Sequence, residues 1–423
     1  MVAAILSIGT ELTRGEVVDR NGPMLAARLT AMGFDIRETC CVDDDFDRIA
    51  DTIARLAASA SVLVATGGTG PTSDDRTVPA VAKALGVGLV RDEDTLATIR
   101  RRVQSSGRAP SPALERLADV PEGAEVFPNP AGLTPPFRVT LGACTVFVLP
   151  GVPEQAERVF DEVLARRFVR LATPRGERRV LRTIGCAEVQ ITERLQGVEE
   201  KFPGVSLALR AVPPEVDVKV IVRDGDPTRA RALVDAAASE VRARLGDAVF
   251  GEGDDAFAAA VGRALRARGY TLAVAESCTG GLIGAMLTAV AGSSDYLLLD
   301  AVTYANAAKE RVLGVEPEIL RGHGAVSAEC VRAMALGARR VSGADIAVSV
   351  SGVAGPGGGS PERPVGTVWF GLSADGDDDV TVVQRHFKGD RAAVQRQAAY
   401  AALELVRARC QGPLPARMPS VCG

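Results

Sequence analysis

Histidine is nearly absent from this chain: 423 residues hold two, His323 and His386. A histidine-based nucleophilic triad would have to use one of two isolated imidazoles, so another base is the better expectation. The eight cysteines are scattered apart from Cys40 and Cys41 and form no C-x-x-C pair. That suggests neither a disulfide framework nor a zinc site, and the thiols read as reduced, mostly packing residues. No apolar run reaches the ~18 residues that a spanning helix needs. A net charge of -4 leaves no electrostatic footprint for direct contact with nucleic acid or an anionic membrane. The segment MVAAILSIGTEL reaches the acidic Glu11 without a basic leader or a cleavage pattern, so a cytoplasmic location is expected.

What is present is a globular composition, 47% hydrophobic and 24% charged, long enough for two or three domains. Small-molecule chemistry is the natural default. Residues 1–170 alternate strand-like runs (VAAILSI, FDIRETCCV, SVLVATGG) with amphipathic segments (Val18 to Met32, Asp47 to Ser59, Val78 to Leu85), the pattern of βαβ units around a parallel sheet. Two polar loops follow strands directly, GTEL from Gly9 and TGGTGPTSDDRT from Thr66, and ligands of such sheets sit beyond the carboxyl ends of strands. In the second loop Gly70 and its neighbours shape a tight turn that presents Thr72, Ser73, Asp74 and Asp75 at a helix start. Backbone amides there suit a phosphate, and paired carboxylates beside a phosphate suit a hard divalent cation, with Glu11 as a third oxygen ligand. The plainer alternative makes Asp74 and Asp75 helix-start acids favoured by the dipole.

Residues 171–252 change texture, with RRVLRTIGCAEVQITERLQGV, VSLALRAVPPEVDVKVIVRDG and a charged helix from Pro227 to Leu245. This predicts a small α+β domain that joins its neighbours or builds an oligomer interface. Its Arg and Lys lie among many acids and no GXXG clamp occurs, so no RNA binding is assigned. Residues 253–412 form a third, α/β block, with strands ADIAVSVSGVAG, TVWFGLSA and VTVVQRHF and a closing helix from Asp390 to Arg409. The glycine- and proline-rich loop from Gly355 to Gly366 reads as a ligand-contacting loop. Residues 413–423 are expected to be a loose tail.

Chemistry concentrates in AESCTGGLIGAMLTAVAGSSDYLLLDAVTYANAAK, from Ala275 to Lys309. TLAVA reads as a buried strand, Thr279 as the N-cap of the next helix, and Gly280 and Gly281 as positions whose N–H groups face an anion or oxyanion. Ser277 lies at the strand-to-helix turn, where hydrolases expose a serine. A lysine desolvated beside it would serve as base, so Ser277, Tyr304 and Lys309 form the trio singled out. Cys278 and Ser294 stand as rival nucleophiles. Thr279, Ser293 and Ser294 are expected to line the same pocket. Arg391, in a Gly-Asp-Arg turn, suits a phosphate or carboxylate clamp, with a surface ion pair as the alternative.

The ordered motifs AESCTGG, AGSS, VTYANAAK, HGAVS, SGVAGPGGG, PVGTVW and FKGDR resemble the CinA carboxy-terminal domain family over about the last ~170 residues. The resemblance implies hydrolysis of the carboxamide of nicotinamide mononucleotide, releasing ammonia without a cofactor. It also implies Ser277 as nucleophile, Lys309 as general base and Tyr304 as a proton relay or lysine tuner; Ala305 departs from the more usual TYSN. IGTELTRGEVVDRN, TGGTGPTSDDRT and LPGVPEQ resemble the molybdopterin-binding fold and the CinA amino-terminal domain. That likeness implies cleavage of ADP-ribose to AMP and ribose 5-phosphate with a divalent metal (Mg2+, Mn2+ or Co2+) at Asp74 and Asp75. Leu133 and Pro136 stand where threonine and glycine are more usual, which weakens that enzymatic expectation and leaves nucleotide or pterin binding as its alternative. The middle block is similar to the family's KH-type insert. The resemblance further implies a homodimer and admits a competence or DNA-repair protein partner.

Overall fold

The computed structural model describes residues 1–412 except 106, 108, 110, 172–175 and 375–379. The expected tail at 413–423 lies outside the described residues. Contacts divide the chain into two compact units, Met1–Gly176 and Glu177–Gly423.

In the first unit the predicted alternation closes into a six-stranded sheet. Asp35–Val42, Val2–Ile8, Val62–Thr66 and Cys144–Leu149 run parallel in that spatial order, and Phe137–Leu141 and Glu125–Val126 continue it antiparallel. Alternate residues of one strand feed opposite cores: Ala4 and Leu6 pack with Ile49, Ile53 and Leu56, whereas Ala3 and Ile5 pack with Leu25, Leu29 and Phe160. Helix Phe46–Ser59 is capped by Asp45, whose side chain accepts from the Arg48 N–H. Gly67 has φ +103 and lies against the Ile8 carbonyl, an approach that a Cβ would block. The loops after Ile8 and Thr66 therefore meet at the carboxyl edge, as parallel topology requires.

The second unit holds two sheets. The first is antiparallel, ordered Val205–Val212, Glu215–Val222, Glu177–Ile184, Val249–Glu252, and is covered by helix Pro227–Leu245. The second is ordered Leu297–Val302, Leu272–Glu276, Ile346–Gly352, Thr367–Ala374, Thr381–His386. Its first three strands are parallel and its last two antiparallel. Leu272 and Val274 point into a core with helices Phe257–Arg268, Leu282–Thr288 and Arg391–Gln411, while Ala273 and Ala275 point into one with Leu313, Cys330 and Met334. This sandwich places the carboxyl ends of three parallel strands at one edge, beside the amino end of the final helix.

The two sheets of this unit are joined by polar contacts. Tyr400 on the final helix donates its hydroxyl to Glu215 at 2.8 Å, and Glu215 pairs with Arg182, which also meets Asp217 at 2.9 Å. Arg407 donates to the Asp247 carbonyl at 2.9 Å and stacks over Phe257. No helix among the described residues is long and apolar enough to cross a membrane.

Candidate active site

Strand Leu272–Glu276 runs directly into the turn that carries Ser277, Cys278 and Thr279 and leads to helix Leu282–Thr288. Ser277 is 8% exposed and Lys309 1%. Lys309 Nζ lies 3.0 Å from Ser277 Oγ, 2.7 Å from the Thr303 carbonyl oxygen and 3.3 Å from that of Tyr304. Desolvation holds the lysine below its ordinary 10.5, outweighing the opposing influence of Cys330 and Cys278. A neutral amine has two N–H donors and one lone pair. When Lys309 is neutral and the two carbonyls accept its N–H groups, the lone pair is left for the serine hydroxyl.

Tyr304 enters this arrangement differently from the expected relay. Its backbone carbonyl meets Lys309, but its phenol turns outward, is 60% exposed, and accepts from Arg391 Nη2 at 2.8 Å. Arg391, the first residue of the final helix, also donates Nη1 to the Gly355 carbonyl at 2.8 Å. Asp390 caps that helix through the Ala393 N–H. Arg391, Tyr304 and Gly355 thus form one rim, and Arg391 has no carboxylate in ion-pair range among the described residues. One turn further on, Gln395 donates to the Cys278 carbonyl at 2.8 Å. Sequence reasoning did not single out Gln395; an amide on a helix carries no signal until the helix is placed.

Three expectations about the turn are corrected. Thr279 is not the N-cap: helix Leu282–Thr288 begins later, and the Glu276 carboxylate takes its first donors, from Gly281 N–H and Gly284 N–H, each at 2.9 Å. The Gly281 N–H is therefore not free for an anion, and the Gly280 N–H turns back to the Ser277 carbonyl at 3.2 Å. Ser294 sits exposed in the short turn Ser293–Asp295 that precedes strand Leu297–Val302, whose start pairs with Leu272. Ser293 and Ser294 lie at the amino end of the sheet and Ser277 beyond its carboxyl end, a strand length of roughly 15 Å away. Thr279 does lie in the Ser277 turn, 3% exposed, and its hydroxyl has no partner among the described residues. Cys278 is buried and desolvated, its thiol pushed up to about 12, so it stays protonated and unreactive.

In the first unit a cavity of about 170 Å³ opens beside the Thr66 loop, lined among others by Thr69, Gly70, Thr72, Asp75, Arg116 and Thr134. Asp75 folds back over Gly70 and accepts from the Thr72 N–H at 2.8 Å, while the Thr72 hydroxyl reaches both Asp74 and Asp75. The following helix starts at Thr77, so the two aspartates precede it rather than open it. Among the described residues no group of three or more His, Cys, Asp and Glu assembles to hold a metal, and the Glu11 side chain lies over Gly9 instead. Leu133 packs on a small cluster with Leu96 and Leu117, and the Pro136 carbonyl accepts from the Phe127 N–H at 2.8 Å. Arg116, which sequence reasoning passed over, supplies a cation to the cavity and bonds the Pro71 carbonyl at 3.1 Å.

A parallel-sheet amino-terminal fold, a small antiparallel α+β domain, and an α/β domain with a buried Ser–Lys pair at its sheet edge define the class of protein. Residues 4–170 match the family described as probable molybdopterin binding domain, 178–251 the damage-inducible protein CinA KH domain, and 254–410 the CinA C-terminal domain. The chain belongs to the CinA-like protein family. It is 40% identical over 412 residues to the CinA-like protein of Desulfosudis oleivorans, covering 96% of this chain and 99% of that one. It is 41% identical over 414 residues to that of Geobacter metallireducens, covering 97% and 99%. A crystal structure of a competence-damaged protein (CinA) superfamily protein from Klebsiella pneumoniae is 41% identical, with a TM-score of 0.35, covering 37% of this chain and 96% of that one.

Proposed function

We propose that the carboxy-terminal domain hydrolyses the carboxamide of nicotinamide mononucleotide to nicotinate mononucleotide and ammonia. The observation that carries the amide chemistry is the buried Lys309 amine 3.0 Å from Ser277 Oγ. The family resemblance supplies the nucleotide. Lys309 takes the Ser277 proton as Oγ attacks the carboxamide carbon, forming a tetrahedral adduct. The unpartnered Thr279 hydroxyl is the donor offered to the oxyanion, an interaction typically worth about 3 kcal/mol. Lys309 then gives its proton to the leaving nitrogen, the C–N bond breaks, and ammonia departs from a seryl ester. Water attacks that ester, losing a proton to Lys309, which returns it to Ser277 Oγ as the carboxylate leaves. Arg391 and the exposed Tyr304 ring hold the nucleotide's phosphate and aromatic parts at the rim.

Turnover in the presence of hydroxylamine tests the ester directly. An acyl-enzyme partitions to the hydroxamate; ammonia release with no hydroxamate under any condition would point to direct attack by water instead.

A second reading concerns the amino-terminal unit, which we infer to bind a nucleotide or pterin ligand in the cavity beside Thr69 and Arg116. Titration with ADP-ribose, with and without Mg2+, Mn2+ or Co2+, checks it. Binding without products supports a binding role, whereas AMP appearing with metal would restore a pyrophosphatase.

A further inference from the structure

The proposed mechanism leaves the half-buried carboxyl group of Asp300 unused. Asp300 stands on strand Leu297–Val302, directly beside Val274 in register, with its carboxyl over Gly284, where a Cβ would collide with it. Next to it, Glu276 spends its two oxygens on the Gly281 and Gly284 N–H groups, closing the turn that holds Ser277. Asp300 receives no such help: its Oδ1 is buried and has no donor among the described residues. A desolvated carboxylate without donors, beside another carboxylate, is costly, whereas a neutral carboxyl can give its hydrogen to that neighbour.

We propose that Asp300 is protonated in the folded protein and donates its hydrogen to Glu276, and that this carboxyl pair is the positioning device for the Ser277 turn. The inference deepens the amidase reading and, for its link to Ser277, rests on it. Burial and the Glu276 carboxylate push Asp300 up to about 7. The helix covering it, LIGAMLT, carries no titratable side chain, and the adjacent strand LAVAE contributes Glu276 alone. Lys309 faces Ser277, Thr303 and Tyr304 instead. As pH rises through about 7 a second charge therefore appears beside Glu276, and the turn loosens.

The sign of the linkage is set by the proton. Between Asp300's ordinary 3.8 and about 7 the folded chain holds a proton that the unfolded chain has lost, so stability falls as pH rises through that window. The test compares full-length wild type with Asp300→Asn, which keeps an N–H donor for Glu276 and cannot ionise. Melting temperature is followed from about pH 5 to about pH 8, together with sulfonylation of Ser277 by phenylmethanesulfonyl fluoride, read by mass spectrometry. The expected result is a melting temperature that declines with pH in wild type and declines less in the variant, with the variant-to-wild-type ratio of Ser277 labelling rising above about pH 7. Identical slopes in the two proteins would overturn the proton on Asp300. A flattened slope with a labelling ratio that stays constant would overturn the positioning role. Wild type that neither labels at Ser277 nor releases ammonia would sink the amidase reading, and the slope comparison would still decide the protonation. Asp300→Ala, which removes the donor, is expected to label more slowly than Asp300→Asn; equal rates in the two would contradict the proposal.

Discussion

Lys309 Nζ and Ser277 Oγ lie 3.0 Å apart, with the lysine's remaining contacts made to two backbone carbonyls rather than to a carboxylate. An acid in their place would hold the ammonium charged. The carbonyls orient the amine without raising its pKa as an ion pair would, which is what a base near neutrality needs.

Replacing Lys309 by methionine keeps the length of the stem and removes the base. Turnover is expected to fall by about 10³-fold or more. In wild type the rate at limiting substrate is expected to rise with pH through a value below 10.5, because in the proposed mechanism the desolvated lysine must lose its proton to act. A pH profile in the methionine variant with the same rising limb would assign that limb to another group.

Tyr304→Phe separates two roles for one side chain. The phenol contacts Arg391 and not Lys309, so the substitution is expected to raise KM by a fewfold and leave kcat within about threefold. A hundredfold loss in kcat would return the phenol to the proton path.

Arg391→Ala removes a guanidinium that has only neutral partners at the rim. Loss of a charge-assisted contact of about 2 kcal/mol predicts a KM about 30-fold higher. The diagnostic comparison is nicotinamide mononucleotide against nicotinamide riboside: the variant is expected to lose its preference for the phosphorylated compound, and an undiminished preference would remove Arg391 from the phosphate.

Tyr400→Phe probes the contact between the two sheets of the second unit. Its hydroxyl satisfies Glu215, which is 4% exposed, and deletion leaves that oxygen without a donor. A destabilisation of about 1–3 kcal/mol is expected in denaturant unfolding, with ammonia release unaltered at temperatures where the variant is folded. No change in the midpoint would mean that water replaces the hydroxyl at no cost.

Much of the fold was legible because it is written in periodicity. VAAILSI, TLAVA and the stretch Pro227–Leu245 carry runs or faces that burial alone organises, and their elements fall within a residue or two of expectation. Ser277 and Lys309 were legible as a serine at a strand-to-helix turn and a lysine one strand-and-turn later. What was not legible depended on direction. Ser294 and Ser277 sit in similar glycine-containing turns, but one precedes its strand and the other follows, and only the parallel pairing of Leu272 with Leu297 puts them at opposite ends. Thr279 looked like a cap because threonine is a good one, yet the Glu276 carboxyl group takes the Gly281 and Gly284 N–H donors. A signal for that was present: Glu276 and Asp300 are acids inside the apolar runs TLAVAE and LLLDAV, and an acid in a buried strand needs a partner. Glu11, Asp74 and Asp75 were grouped by chemical type, and the Thr72 contacts that draw the aspartates into their own loop have no signature in spacing.

Ammonia release from nicotinamide mononucleotide by the full-length protein, without added metal, tests the central claim most directly when Ser277→Ala is measured beside it. Steady release by wild type and at least a thousandfold less, about 4 kcal/mol, in the variant is the predicted result. Equal release by both proteins, or none by wild type, would contradict a serine–lysine amidase.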